Sequence, residues 1–182
     1  MGKMTVTCDI CERTTKFPAP KSWLNVARNL TICHKCGWPQ LGNCLMGVFK
    51  FSTQEETAGE MRIPPRSLSH LNTEQIGRNL QSIAKHIVRF AANLPLDLRL
   101  QALTDECPWP KLSARVVELF ELPNMTYLQY KFGLSLSTIS ELNNQKAGPT
   151  MTRMMRILVN LAEKLNPHQR QNFLQNKKFF LD

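Results

Sequence analysis

The stretch FGLSLSTISELNNQK, from Phe132 to Lys146, narrows most sharply what this chain can fold into. An apolar-patterned segment ends at Gly133, a short polar start follows, and the spacing then predicts a helix. That helix turns Ile139 and Leu142 inward and Ser137, Thr138, Ser140, Glu141 and Asn144 outward. Gly148-Pro149 stops the pattern, and Thr150 opens another helix. Two short helices meeting at a glycine turn, with small polar side chains on the outside of the second, can present a face to the DNA major groove. The same hairpin also occurs in ordinary helical cores and in protein-binding domains.

The flanking residues extend the pattern. Leu112 to Leu122 reads as a helix with Val116, Val117, Leu119 and Phe120 apolar, and Pro123-Asn124 closes it and caps the next. A helix from Met125 to Phe132 offers Leu128 and Phe132 to a core, and Ser135 is a favourable N-cap for the helix after the turn. Thr150 caps a helix whose inner face is Met154, Leu158, Leu161 and Leu165. Asn166-Pro167 then starts a last helix, expected to run to Lys177-Lys178-Phe179-Phe180.

Over residues 112–165, and most specifically from Gly133 through Lys146, the sequence YLQYKFGLSLSTISELNNQKAGPTMTRMMRILVNLAEKL resembles the Cro/lambda-repressor family, the XRE-type helix-turn-helix. The resemblance implies a recognition helix at about 135–145, with Leu136, Ser137, Thr138 and Glu141 facing base edges. It also implies Asn144 and Lys146 near the phosphate backbone, and Ile139 and Leu142 in the core. Met125 departs from the family's frequent phosphate-contacting glutamine, Gln129 from the small residue usual in its second helix, and Leu136 is apolar at a position often polar, where it could contact a thymine methyl. Lys131, Arg153 and Arg156 are further candidates for clamping phosphates, contacts that fix position without reading sequence.

Near the other end, Cys8-Asp9-Ile10-Cys11 and Cys33-His34-Lys35-Cys36 form two C-x2-C pairs with 21 residues between Cys11 and Cys33. Each pair suits one tight turn, and two such turns give the tetrahedral four-thiolate site that Zn2+ fills without redox demand. Four sulfurs close the coordination shell, so Cys8, Cys11, Cys33 and Cys36 are expected to hold a structural zinc. Trp23, Leu24, Val26 and Leu30 are expected to pack over the metal turns. Cys44 reads as a buried thiol among Leu45, Met46, Val48 and Phe49, and Cys107 carries no assigned chemistry.

Between these ends, residues 52–71 are polar and turn-rich and read as a linker. A helix is expected to open near Thr73, with Ile76, Leu80, Ile83, Ile87, Phe90 and Leu94 on one face and Arg78, Lys85 and Arg89 opposite. That face fits either a core helix packed on its own chain or a dimer seam. Pro95 breaks the helix, Leu96 to Thr104 reads as a short second one, and Asp105 to Pro110 as a boundary. The expected organisation is a zinc-ribbon-like module at 1–51, a linker at 52–71, a helical segment with possible dimerisation at 72–110, and a helix-turn-helix domain at 111–182. The fold class expected is mainly α, with short β confined to the zinc ribbon.

Charge separates the function classes further. Residues 1–71 carry nine Lys/Arg against five acids and residues 111–182 ten against five, whereas 72–110 are balanced. Basic ends with a neutral middle suit a chain that meets phosphates, which supply most non-specific nucleic-acid affinity. No apolar run approaches a membrane span, and the beginning MGKMTVTCDICERTTKF lacks a signal-peptide core, so a cytoplasmic protein is expected, of a kind that fits a bacterial or phage source. No nucleophilic triad, phosphate loop or carboxylate cluster stands out, and no enzyme is expected. The leading expectation is a sequence-specific DNA-binding transcription regulator that binds double-stranded DNA as a homodimer. Its zinc module is available to a protein partner such as RNA polymerase or a toxin. The alternative is an antitoxin, because a zinc module followed by an XRE-type domain is similar to the order in MqsA-type antitoxins, where the zinc domain grips a toxin and the other domain represses the operon.

Overall fold

A computed structural model describes residues 3–7, 14–18, 41–73 and 75–175 of the 182-residue chain, with backbone alone for the first two segments. Those two are strands β1 (Lys3–Thr7) and β2 (Thr14–Pro18), rich in the β-branched residues that strands favour. They pair antiparallel, from Lys3 opposite Pro18 to Thr7 opposite Thr14. Cys8, Cys11, Cys33, Cys36 and the apolar residues between the pairs lie outside the described residues, as does the tail 176–182.

The other regular elements among the described residues are ten helices. Helix α1 (Leu41–Val48) is buried along nearly its whole surface, as a helix with apolar or small residues on every side must be. Gly42 is required there: a Cβ would stand 2.5 Å from the carbonyl oxygen of Leu68, so α1 and α3 touch backbone to backbone. Helix α2 (Gln54–Met61) is capped by Thr53, whose hydroxyl accepts from the Glu56 amide at 3.0 Å. It ends at Arg62, left-handed at φ 55°, with the Arg62 and Ile63 amides bonded back to Gly59 and Ala58. Helix α3 (Pro65–Thr73) follows, with Pro65 at its first position.

The stretch expected as a linker is therefore two helices. Thr57, Ala58, Met61, Leu68 and Leu71 are buried, and the polar residues form the outer surface. With only two or three inward residues each, these helices carry too little periodicity to be read as helices. Likewise α1, expected inside the zinc module, packs on α3 and α4.

Helix α4 (Arg78–Ala92) begins after Gly77, later than the expected start near Thr73. Leu80, Ile83, Ile87 and Phe90 are at most 5% exposed, against α9 on one side and α1 on another. The face proposed as a dimer seam is thus filled by the chain itself. Arg89, placed on the outer face by periodicity, is buried with its guanidinium 4.5 Å from the ring centre of Phe173.

Helices α5 (Leu96–Thr104), α6 (Leu112–Leu119), α7 (Thr126–Phe132), α8 (Leu136–Asn143), α9 (Pro149–Lys164) and α10 (Pro167–Gln175) complete the structure. Asn166 and Gln169 cap α10 reciprocally, each side chain accepting from the other's amide at 2.8–2.9 Å. One continuous apolar core runs from Leu41 to Phe173, without a break at residue 72 or 111. Its aromatic end joins α4 to the close of α6, α7 and α10. Phe90 meets Phe173 at 4.8 Å and Phe120 at 5.5 Å, Phe120 meets Phe132 at 5.2 Å, and His86 stacks on Phe132 at 4.9 Å between ring centres. The Phe90→Ala variant is expected to lose about 3–5 kcal/mol of stability, read as a lower denaturant midpoint.

Candidate nucleic-acid interface

The unit formed by α6, α7, α8 and α9 is assembled by specific polar contacts as well as by apolar burial. The Asn124 side chain accepts from the Thr126 amide at 3.0 Å and opens α7, whose Leu128 and Phe132 are buried. Gly133 then closes α7 in the left-handed region at φ 67°, where a glycine carries no steric cost. Leu134 drops into the core at 1% exposure, and Ser135 caps α8 by accepting from the Thr138 amide. Ile139 and Leu142 are buried beneath α8. Two bonds fix α8 to the start of α6: the Ser113 hydroxyl donates to the Ile139 carbonyl at 2.8 Å, and Asn143 accepts from the Ala114 amide at 3.1 Å.

The turn itself is held from outside this unit. Asn79 of α4 accepts from the Ser135 amide at 2.8 Å and donates to the Ser135 hydroxyl at 3.2 Å, while the Ser82 hydroxyl donates to the Gly133 carbonyl at 3.4 Å. These residues lie more than fifty positions from the turn, and nothing in their local sequence marks them. A second clamp holds the segment before α6. Trp109 donates to Glu163 at 2.6 Å, Arg115 bonds both Glu163 and Glu118, and its guanidinium lies 3.9 Å from the Trp109 ring centre. Burial pulls the ionisation of Arg115 down, but its bonds to Glu118 and Glu163 outweigh this and raise it. Lys164 pairs with Asp105 at 2.6 Å. The expected boundary at 105–110 is thus fastened to α6 and α9.

Of the residues expected at base edges, Leu136, Ser137 and Glu141 are exposed on the outer face of α8, together with Ser140 and Asn144. Thr138 is not: it is 6% exposed, and its hydroxyl accepts from Ser135 at 3.0 Å. As the third residue of a helix capped by Ser135, its side chain folds back into the cap instead of outward.

The expected phosphate contacts also divide. Asn144, Lys146 and Arg156 are exposed, whereas Lys131 is partly buried with its ammonium 3.4 Å from the Leu174 carbonyl. Arg153 donates to the Met61 carbonyl at 2.8 Å and the Leu103 carbonyl at 2.7 Å. It therefore caps the C-terminal ends of α2 and α5, where a cation is favoured, instead of facing outward. Burial pushes the ionisation of Arg153 down from the ordinary arginine value, and nearby Arg62 and Arg156 add to the push.

Sequence reasoning passed over the exposed rings of this region, Tyr127 at about two-fifths exposure and Tyr130 at 68%; Met125, noted there only for its departure from the family's glutamine, is also about two-fifths exposed. Cys44 is buried, as expected; burial also pushes the pKa of the half-buried Cys107 thiol up, which disfavours the thiolate. Among the described residues no three His, Cys, Asp or Glu side chains gather as a metal site, and no helix is long and apolar enough to cross a membrane. No protein-family model, curated protein or solved structure matches the chain.

Two substitutions check this geometry. Arg153→Ala strips partners from two helix-end carbonyls and is expected to cost about 1–3 kcal/mol, whereas Arg156→Ala is expected to stay within about 0.5 kcal/mol of wild type. Gly133→Ala is expected to cost about 1 kcal/mol or more, because φ 67° strains a side chain and the new Cβ would meet the Ser82 hydroxyl at 3.0 Å. Urea unfolding reads all three.

Proposed function

We propose that the chain is a sequence-specific DNA-binding transcription regulator that lays α8 in the major groove. The observation that carries this reading is the outer face of α8. It presents Leu136, Ser137, Ser140, Glu141 and Asn144 to solvent while Ile139, Leu142 and the Ser135 cap anchor the other side. Small hydroxyl side chains admit close approach to base edges and bond either donors or acceptors, and a glutamate accepts from the cytosine amino group. Lys146 and Arg156, with Asn144, would meet phosphates and fix the register of the helix. Arg153 is assigned to the scaffold, as its two carbonyl bonds require.

The same proposal gives Cys8, Cys11, Cys33 and Cys36 a structural zinc. Pairing of Thr7 with Thr14 brings together both ends of the six-residue connection that carries the first cysteine pair, which suits a turn that aims two thiolates at one ion. Bound zinc would supply folding free energy to so short a segment. Purified protein is expected to contain zinc equimolar with the chain, and Cys8→Ser with Cys33→Ser to abolish it; a metal-free wild type would refute the site.

Selection from random duplex DNA tests the main reading. Wild type is expected to enrich one motif, and a Ser137→Ala, Ser140→Ala, Glu141→Ala variant to lose the motif while keeping salt-sensitive general binding. Twofold symmetry in the motif would show binding as a dimer. Failure of the wild type to enrich any sequence would overturn the proposal.

A further inference from the structure

We infer that the sequence read by α8 includes a thymine whose C5-methyl group seats on the side chain of Leu136. This deepens the DNA-binding reading above and rests on it. Leu136 is the first residue of α8 and remains 56% exposed, although Leu134, Ile139 and Leu142 around it are at most 3% exposed. The chain therefore holds an apolar side chain in water at the end of the helix that reaches furthest toward base edges in a helix-turn-helix complex. Among the outward residues of α8 it is the one side chain with no hydrogen-bonding group; Ser137, Ser140, Glu141 and Asn144 are all polar.

Chemistry narrows the occupant. The base edges in the major groove present donors and acceptors everywhere except at the thymine methyl. A leucine placed against any other edge group would cover a donor or acceptor without bonding it, at a cost in affinity. The surroundings direct Leu136 to that role. Ser135 caps the helix and its hydroxyl is bonded to Thr138, so these two polar groups satisfy one another on the inner side of the first turn. What the first turn offers outward is the leucine beside the short Ser137. Ser137 and Ser140 are short enough to let it approach.

The experiment begins from the motif enriched by the wild-type chain. Each thymine of that motif is replaced in turn by deoxyuridine, which removes only the methyl group, and affinity is measured for wild type, Leu136→Ala and Leu136→Met. One replacement is expected to weaken wild type about fourfold, the worth of burying a single methyl group. Leu136→Ala is expected to bind the thymine duplex more weakly and to be indifferent to that replacement, closing a cycle between residue and methyl. Leu136→Met is expected to retain the methyl dependence. Full affinity of wild type for every deoxyuridine duplex, a motif without thymine, or undiminished methyl dependence in Leu136→Ala would each overturn the assignment. Absence of any enriched motif would instead overturn the reading on which it rests. Because Leu136 is exposed, the alanine variant is expected to keep the wild-type unfolding midpoint, which separates lost contact from lost fold.

Discussion

From Ile83 to Ala91 every residue of α4 except Lys85 is buried. Ile83, Ala84, Ile87, Val88, Phe90 and Ala91 are all at most 1% exposed, held between α9, α1 and α7. Burial of this kind is non-directional and stabilises in proportion to apolar area, so by itself it would fix no orientation. Orientation comes from what α4 carries at its ends. Asn79 and Ser82, near its start, bond the turn between α7 and α8, and Phe90, toward its close, enters the ring cluster with Phe120, Phe132 and Phe173. The helix thus sets the position of the turn relative to the core. A displaced α4 would leave the α7–α8 turn without its bonds to Asn79 and Ser82.

The helix ends show a second constraint. The last carbonyls of a helix have no partner within it, and here long polar side chains from elsewhere in the chain supply partners. Arg99 bonds the Val48 and Leu94 carbonyls, Arg153 those of Met61 and Leu103, and Asn160 those of Ala102 and Asp105. Arg170 does the same for Ala162 and Leu165. Three of these four residues are arginines, so part of the basic excess is structural. Counting cations from composition overstates the charge available to a phosphate backbone. Lys146 and Arg156 remain exposed near α8 and α9, whereas Arg89 and Arg153 serve packing and capping.

Legibility in the sequence followed the strength of local signals. The α7–α8 pair was readable because Gly133, Ser135 and the Ile139–Leu142 spacing each act over a few residues. Asn124 and the Asn166-Pro167 start were readable for the same reason. The inward direction of Thr138 was not, because a 3.6-residue period places it near the boundary of the outer face and only the hydroxyl bond from Ser135 decides its side. Helices α2 and α3 are not legible in the sequence because polar residues outnumber apolar ones in each, and their burial depends on α1, which lies in the stretch expected to belong to the zinc module.

Local chemistry in the sequence determined the mainly helical class, the glycine turn, the Ser135 and Asn166 caps and the set of side chains from which an outer face of α8 could be drawn, whereas the cap expected at Thr150 is instead Gly148 followed by Pro149. Tertiary structure alone decided that residues 41–175 share one core, that the apolar face of α4 is covered by its own chain, and which arginines are spent on carbonyls. The physical reason is range. Propensity, capping and positive φ act between neighbours, whereas the partner of a buried face or of a backbone group can lie fifty or more residues away, as Arg153 does from Leu103 and Asn79 from Ser135.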